Sequence, residues 1–371
     1  MSTILPIACP RQMIPVYQPD LTGREREYVL ECIDTGWISS IGKYTDRFEQ
    51  LVEDYTGSGY AVAVSNGTVA LHLALHCLDV GPGDEVIVPS FTYIASVNTI
   101  AQTGATPVFV DSRPDDWLID IDDVRRKIGP KTKAIMAVHL YGSICDMEAL
   151  ADLAREHDLK LVEDCAEALG STLHGRHVGT FGDVGTFSFF GNKTVTTGEG
   201  GMVVSRVEEL AARLRKVKGQ GQSLERRYWH DELGFNYRMT NICAAIGVAQ
   251  MERIDAILSR KQEIALLYMA QLQGVPVEFQ RPMKGVISSN WLISILLPPT
   301  CDRNDVMKRL LEQSIDSRPV FYCAHHMPMY QTGDTHPVAE DIAARGISLP
   351  SYPGLSNEDV IRVAQTLAEA L

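Results

Sequence analysis

The chain is short of positive charge. Lys and Arg number 34 against 47 Asp and Glu, which gives a net charge of −13 over 371 residues. A nucleic-acid binder normally presents a basic face, so no nucleic-acid partner is expected. An anionic small molecule remains open, because a helix N-terminus or a few local cations override the global field. Long apolar runs are missing too. None approaches the roughly 20 residues that span a bilayer, and no membrane partner is expected. Met1 to Gln12 lacks the apolar core, basic flank and small-residue cleavage site of a secretory signal, which points to the cytoplasm. Eight cysteines are present, but no two have Cys-x-x-Cys spacing, so scattered reduced thiols are favoured over a zinc or redox motif. No Gly-x-Gly-x-x-Gly follows a strand, which argues against a nicotinamide or flavin Rossmann site. Internal repeats and low-complexity segments are absent as well.

What is there reads as an ordinary globular chain, with 45% apolar and 22% charged residues. The length suggests a large domain with a smaller one. Short apolar strands are expected over 60–64, 85–89, 106–110, 133–140, 160–163, 184–190 and 201–204, alternating with helical patterns. That alternation argues for an α/β fold, with a mostly parallel sheet flanked by helices. A continuous helical pattern over about 242–272 then leads into strands over 289–297 and 318–322 and helices over 304–313 and 357–371. The expected division is a large domain over 13–250 and a smaller C-terminal α+β domain over 251–371, joined by that long helix.

In sheets of this kind ligands collect beyond the carboxyl ends of the strands. Lys193 lies there, between the apolar run ending at Phe190 and a loop carrying Gly198, Gly200 and Gly201. Aromatic surroundings desolvate a lysine and favour its neutral amine, the form that attacks an aldehyde. Asp164 ends the strand before it, and Tyr93 follows the strand that closes at Pro89. Ser65-Asn66-Gly67-Thr68 opens an apolar helix, which makes either an anion site or a plain N-cap by Ser65 or Asn66. Gly36 to Tyr44 superficially suggests a phosphate loop. Its glycines are one residue too far apart and Tyr44 stands where a Ser or Thr should bind magnesium, so that motif is rejected. His325 and His326 are adjacent and lack metal-motif spacing, so no metal is expected.

Several segments together resemble a known family. They are Gly36-Trp37-Ile38-Ser39, Phe-Ser-Phe-Phe-Gly-Asn-Lys ending at Lys193, Arg226-Arg227-Tyr228-Trp229, Gly234 to Asn241, and Ser317 to Phe321. In this order the chain resembles fold-type I pyridoxal 5′-phosphate enzymes, in the branch of nucleotide-sugar aminotransferases. Within that branch it is most similar to enzymes that carry an amino group from L-glutamate to C4 of GDP-4-keto-6-deoxymannose. The resemblance implies that Lys193 tethers the cofactor as a Schiff base and later moves a proton at the sugar carbon. Pyridoxamine 5′-phosphate would be the form that carries the nitrogen. It implies Asp164 under the pyridine nitrogen, Glu167 at the 3′-oxygen and Tyr93 stacked on the ring. It places Gly67, Thr68 and Ser188 on the phosphate, with Asn236 arriving from the second subunit of a homodimer with shared active sites; Asn236 as a cap of the following helix is the other reading. Arg226, Arg227, Arg318 and His325 are expected at the diphosphate and sugar, since a guanidinium donates two parallel bonds to such groups. Rival readings are a dTDP- or UDP-linked 4-keto sugar as acceptor, a sugar dehydratase (those relatives carry His where Lys193 stands) and a non-catalytic cofactor sensor.

Overall fold

The computed structural model describes residues 12–223 and 225–371. Most of the N-terminal stretch read for a secretory signal, and Cys9, lie outside them. Among the described residues seven cysteines are free, and no helix is long and apolar enough to cross a membrane.

Chain order is α1 (Glu25–Thr35), α2 (Lys43–Thr56), β1 (Tyr60–Val64), α3 (Gly67–Cys77), β2 (Glu85–Pro89), α4 (Ile94–Gln102), β3 (Thr106–Val110), α5 (Ile121–Lys127) and β4 (Thr132–Val138). Then come α6 (Met147–Glu156), β5 (Lys160–Asp164), β6 (Thr172–Leu173), β7 (Arg176–His177), β8 (Val184–Ser188), β9 (Gly201–Ser205) and α7 (Glu208–Lys218). Strands β1, β9, β8, β5, β4, β2 and β3 form one seven-stranded sheet in that spatial order. Its pairs are parallel except around β9, which runs antiparallel to both β8 and β1. The strands are apolar nearly throughout because helices cover both faces. The carboxyl ends of β1, β2, β4, β5 and β8 therefore share one edge, and the start of β9 joins them there.

The second half is α8 (Asn241–Met251), α9 (Ile254–Gln271), β10 (Glu278–Phe279), β11 (Val286–Ile287), β12 (Ile293–Leu296), α10 (Arg303–Glu312), β13 (Arg318–Pro319), α11 (Pro337–Arg345), β14 (Gly346–Leu349) and α12 (Asn357–Ala370). An antiparallel sheet β10-β12-β14-β13 shares its apolar side chains with α9, α10 and α12. A separate apolar cluster beneath it includes Tyr268, Ile295, Ile347 and Val363. Ile14 belongs to that cluster, whereas Ala339 and Ile342 of α11 belong to the larger one under the main sheet.

The single helix expected over 242–272 is two helices, broken at Glu252 and Arg253. No Pro or Gly causes the break. Arg253 is pulled to Asp20 at 2.7 Å, and the Glu252 carboxylate accepts the Tyr28 hydroxyl at 2.9 Å and pairs with Arg47 at 2.6 Å. Tertiary partners on both turn residues thus override the local helical preference. Helix α2 was not expected, although Tyr44, Phe48, Val52 and Thr56 are all buried at a spacing of four. The strand expected over 133–140 stops at Val138, and a single 3₁₀ turn follows, in which Tyr141 takes a left-handed φ of 57°. Segment 36–44 is a structural join. The side chain of buried Asn241 accepts the Tyr44 N–H at 3.0 Å and donates to the Trp37 carbonyl at 2.7 Å.

Candidate active site

The shared edge of the main sheet opens into a cavity of about 910 Å³. Strand alternation sends the neighbours Glu163 and Asp164 to opposite sides of β5. Glu163 accepts the N–H groups of Gly179, Phe181 and Gly182 at 2.7–2.8 Å, pinning the loop ahead of β8. Asp164 faces the cavity. One of its oxygens accepts the Ser96 hydroxyl at 2.7 Å and the other the Ala166 N–H at 3.1 Å.

Lys193 sits on the connection between β8 and β9. Its ammonium nitrogen lies 3.8 Å from Glu167 Oε1 and 4.0 Å from the centroid of the Trp291 indole. Trp291 Nε1 donates to the Asn192 carbonyl at 2.7 Å, and the Tyr17 hydroxyl donates to the carbonyl of Lys193 itself at 2.5 Å. Residues distant in the chain therefore clamp this loop from two sides. Burial lowers the Lys193 pKa, against the opposing pull of Glu167 and then Asp164. Burial raises the Glu167 carboxyl, against Lys193 and the Tyr141 N–H, which donates to Glu167 Oε2 at 2.9 Å. The pair titrates as a unit, and desolvation moves each member toward its neutral form.

Helix α3 supplies the third feature. The Asn66 side chain accepts the Val69 N–H at 3.0 Å, so capping is real. It leaves the N–H groups of Gly67 and Thr68 without intrahelical partners at the positive end of the helix dipole. A Cβ on Gly67 would stand 2.7 Å from Ser188 Cβ, and one on Gly201 only 2.4 Å from the Asn66 carbonyl oxygen. Glycine at both places lets the helix start, the end of β8 and the start of β9 meet in one cradle.

Gly67, Thr68, Tyr93, Asp164, Glu167, Ser188, Lys193 and Arg318 all line this one cavity. Tyr93, just before α4, is half exposed, with its ring 5.6 Å from that of Phe321. Three expected residues stand apart from it in the single chain. Arg226 and Arg227 lie on an exposed segment, each over an aromatic ring, Trp229 at 4.5 Å and Tyr228 at 4.9 Å. Asn236 is exposed and paired with Gly219. Its reading as a helix cap fails, because Thr240 caps α8. His325 is a correction: its ring is buried behind the cavity wall, between the Ser90 hydroxyl at 2.5 Å and Glu340 at 3.2 Å. Of the residues sequence reasoning missed, Ser96 lies one helical turn beyond Tyr93, a spacing that was legible. Tyr17, Tyr141 and Trp291 carry no local signal of their roles.

A model of the DegT/DnrJ/EryC1/StrS aminotransferase family matches residues 19–368. The chain is 54% identical over 357 residues to a GDP-perosamine synthase of Escherichia coli O157:H7, covering 96% of this chain and 98% of that one. It is 51% identical to a GDP-perosamine synthase of Vibrio cholerae, with coverage of 96% and 98%. Among solved structures it is similar to the putative sugar aminotransferase Spr1654 of Streptococcus pneumoniae. The PMP-form of that protein superposes with a TM-score of 0.93 at 30% identity, covering 96% of this chain and 97% of that one. Its PLP-form superposes with a TM-score of 0.92 at the same identity, with coverage of 96% and 98%.

Proposed function

The chain belongs to the DegT/DnrJ/EryC1/StrS aminotransferase family, and on that premise we propose that it moves the amino group of L-glutamate to C4 of GDP-4-keto-6-deoxymannose, making GDP-perosamine. It is a pyridoxal-5′-phosphate-dependent aminotransferase. The observation that carries the choice of sugar is the 54% identity, over nearly the whole of both chains, to an enzyme named for that product.

The residues fit the cofactor. The glycine cradle would be filled by a Cβ at Gly201, and the first-turn N–H groups beside it suit a phosphate. In this reading Gly67, Thr68 and Ser188 hold the phosphate. Tyr93 would lie against the ring, with Asp164 available to the pyridine nitrogen and Glu167 to the 3′-oxygen. The cofactor supplies an electron sink for the carbanion formed at the amino-bearing carbon. Lys193, kept toward the amine by burial, takes the proton from the glutamate carbon and returns one to C4 of the sugar. Asp164, fixed by Ser96 and Ala166, places a negative charge where it favours a protonated ring nitrogen. Trp291 and Tyr17 keep the lysine loop in place and its amine out of water.

Two copies complete the site in this proposal. Arg226, Arg227 and Asn236 lie off their own cavity on an exposed segment with Tyr228, Trp229 and Leu233, of which Tyr228 and Leu233 are more than three-quarters exposed. A homodimer that buries this apolar surface brings the two arginines and Asn236 to the partner's cavity, with Arg318 supplied from the same chain.

The test is to incubate the purified protein with L-glutamate and a panel of GDP-, dTDP- and UDP-linked 4-keto-6-deoxy sugars. Products are scored by mass and NMR. A 4-amino product from the GDP sugar, absent with Lys193→Ala, is expected. Amination of a dTDP or UDP sugar with the GDP sugar untouched would reassign the acceptor. Loss of a hydroxyl with no gain of nitrogen would make the protein a dehydratase.

A further inference from the structure

The histidines that the catalytic reading leaves unused come together behind the cavity wall. His325 and His326 form one 3₁₀ turn, Ala324–His326. Facing it is the start of α11, with His336 at its N-cap and Glu340 one turn in. His325 Nε2 lies 3.2 Å from Glu340 Oε1, and His326 Nε2 lies 4.0 Å from the same oxygen. The ligating atoms of His325, His326 and Glu340 all fall within 4.8 Å of one another. The His336 ring centroid stands 4.7 Å from that of His325. His336 is 1% exposed, and its Nε2 has no hydrogen-bond partner. His336 packs beside the cluster without joining it, since its nitrogens are not among the ligating atoms that converge there.

The surroundings resemble those of a built metal centre. Metal-bound histidines usually have the second ring nitrogen fixed by a neighbour. Here the Ser90 hydroxyl holds His325 Nδ1 at 2.5 Å, and the His336 backbone N–H holds Glu340 Oε1 at 2.9 Å. Ligands about 2.0–2.1 Å from a tetrahedral ion stand about 3.3 Å apart. The His325–Glu340 separation already matches that spacing. His326, with a side chain 61% exposed, can close the remainder by rotation.

From this we infer that His325, His326 and Glu340 form a three-residue site for a divalent transition-metal ion of the zinc class, with water completing the coordination. Imidazole and carboxylate donors without thiolate suit Zn²⁺, and Co²⁺ as its spectroscopic stand-in. In the resting structure Nδ1 of His325 accepts the Ser90 proton and Nε2–H faces Glu340. Binding needs the other neutral tautomer: the ring proton moves from Nε2 to Nδ1, where it donates to the Ser90 hydroxyl, and the freed Nε2 takes the ion with no net loss of a proton from the imidazole. The ion would tie α11 to the end of β2, and through Phe91, whose ring is 6.4 Å from Phe321, brace one wall of the active-site cavity. Its role is structural, separate from the amino transfer.

The experiment uses tag-free, full-length protein treated with a chelator and then titrated with Co²⁺ and, separately, Zn²⁺. Expected are one Co²⁺ per chain with visible d–d absorption and a higher Tm with Zn²⁺. His326→Ala changes an exposed side chain, so the fold should survive, and Co²⁺ affinity should fall at least tenfold. Glu340→Gln should do the same while retaining the capping bond to His336. No absorption and no Tm change in the parent protein would overturn the inference. So would equal binding by the parent and His326→Ala, which would place the ion elsewhere.

Discussion

Replacing Glu167 by Gln tests how the reactive amine is poised. Glutamine keeps the volume, and its amide oxygen can still accept the Tyr141 N–H. What it removes is a negative charge 3.8 Å from Lys193 Nζ. Coulomb's law at that distance, with an effective dielectric of about 20, gives about 4 kcal/mol as an upper value. At 1.4 kcal/mol per tenfold, the ratio of amine to ammonium should rise by up to roughly a thousandfold. Both side chains are nearly buried, 13% and 5% exposed, so solvent screening trims this only modestly. The sign follows from the opposing causes at Lys193: burial lowers its pKa, and Glu167 resists that. Without the carboxylate the lysine must turn neutral at lower pH. The assay is pulse acylation of cofactor-stripped protein across a pH series, with peptide mass mapping of the Lys193 peptide. Half-modification should move to lower pH in Glu167→Gln. An unchanged or higher midpoint would mean that Glu167 does not set the charge of Lys193, and the account of this pair would be wrong.

Three further outcomes follow from particular contacts. Gly201→Ala forces a methyl to within 2.4 Å of the Asn66 carbonyl oxygen; it should cost about 1–3 kcal/mol in urea unfolding and weaken pyridoxal 5′-phosphate binding in a spectral titration. His177 has its pKa pushed down from 6.5 to about 4 by burial, while its neutral ring donates to the Val178 carbonyl and accepts the Gly170 N–H. The unfolded chain therefore takes up a proton between about pH 6.5 and 4 that the folded chain refuses, and stability falls as pH drops through that window, by up to about 3 kcal/mol. His177→Gln should flatten the slope of unfolding free energy against pH there by as much as one proton; an identical slope would refute this. Mixing inactive Lys193→Ala with inactive Asn236→Ala chains should restore about a quarter of parental activity if each site draws on both chains, and none otherwise.

The strands 60–64, 85–89 and 106–110 were legible to the residue, because each is a short apolar run stopped by Gly, Pro, Asn, Asp or Ser. The break at Glu252 was not, since its cause is carboxylates and guanidinium groups more than 200 residues away in sequence. Helix α2 was legible but overshadowed by the false phosphate motif just ahead of it. The residues expected around Lys193, Asp164 and Gly67 converge because each stands at a strand end, a position the alternating pattern marks. Tyr17 and Trp291 reach the lysine loop from opposite ends of the chain, so no local window reveals them. His325 misled because adjacency to Arg318 and Phe321 in sequence does not say which side of the wall a ring will occupy.

One reversed strand has a large effect on where the chemistry sits. Had β9 run with its neighbours, the chain leaving Ser188 would have crossed the layer and begun its next strand at the far rim, roughly 17 Å away for five residues. Lys193 would then ride on a long crossover. Running backwards, the strand needs only a short return, so the amine stays at the rim where β8 ended, and Gly201 lands against Asn66. A single inverted direction thus converts what would be a mobile arm into a stiff bracket for the nucleophile.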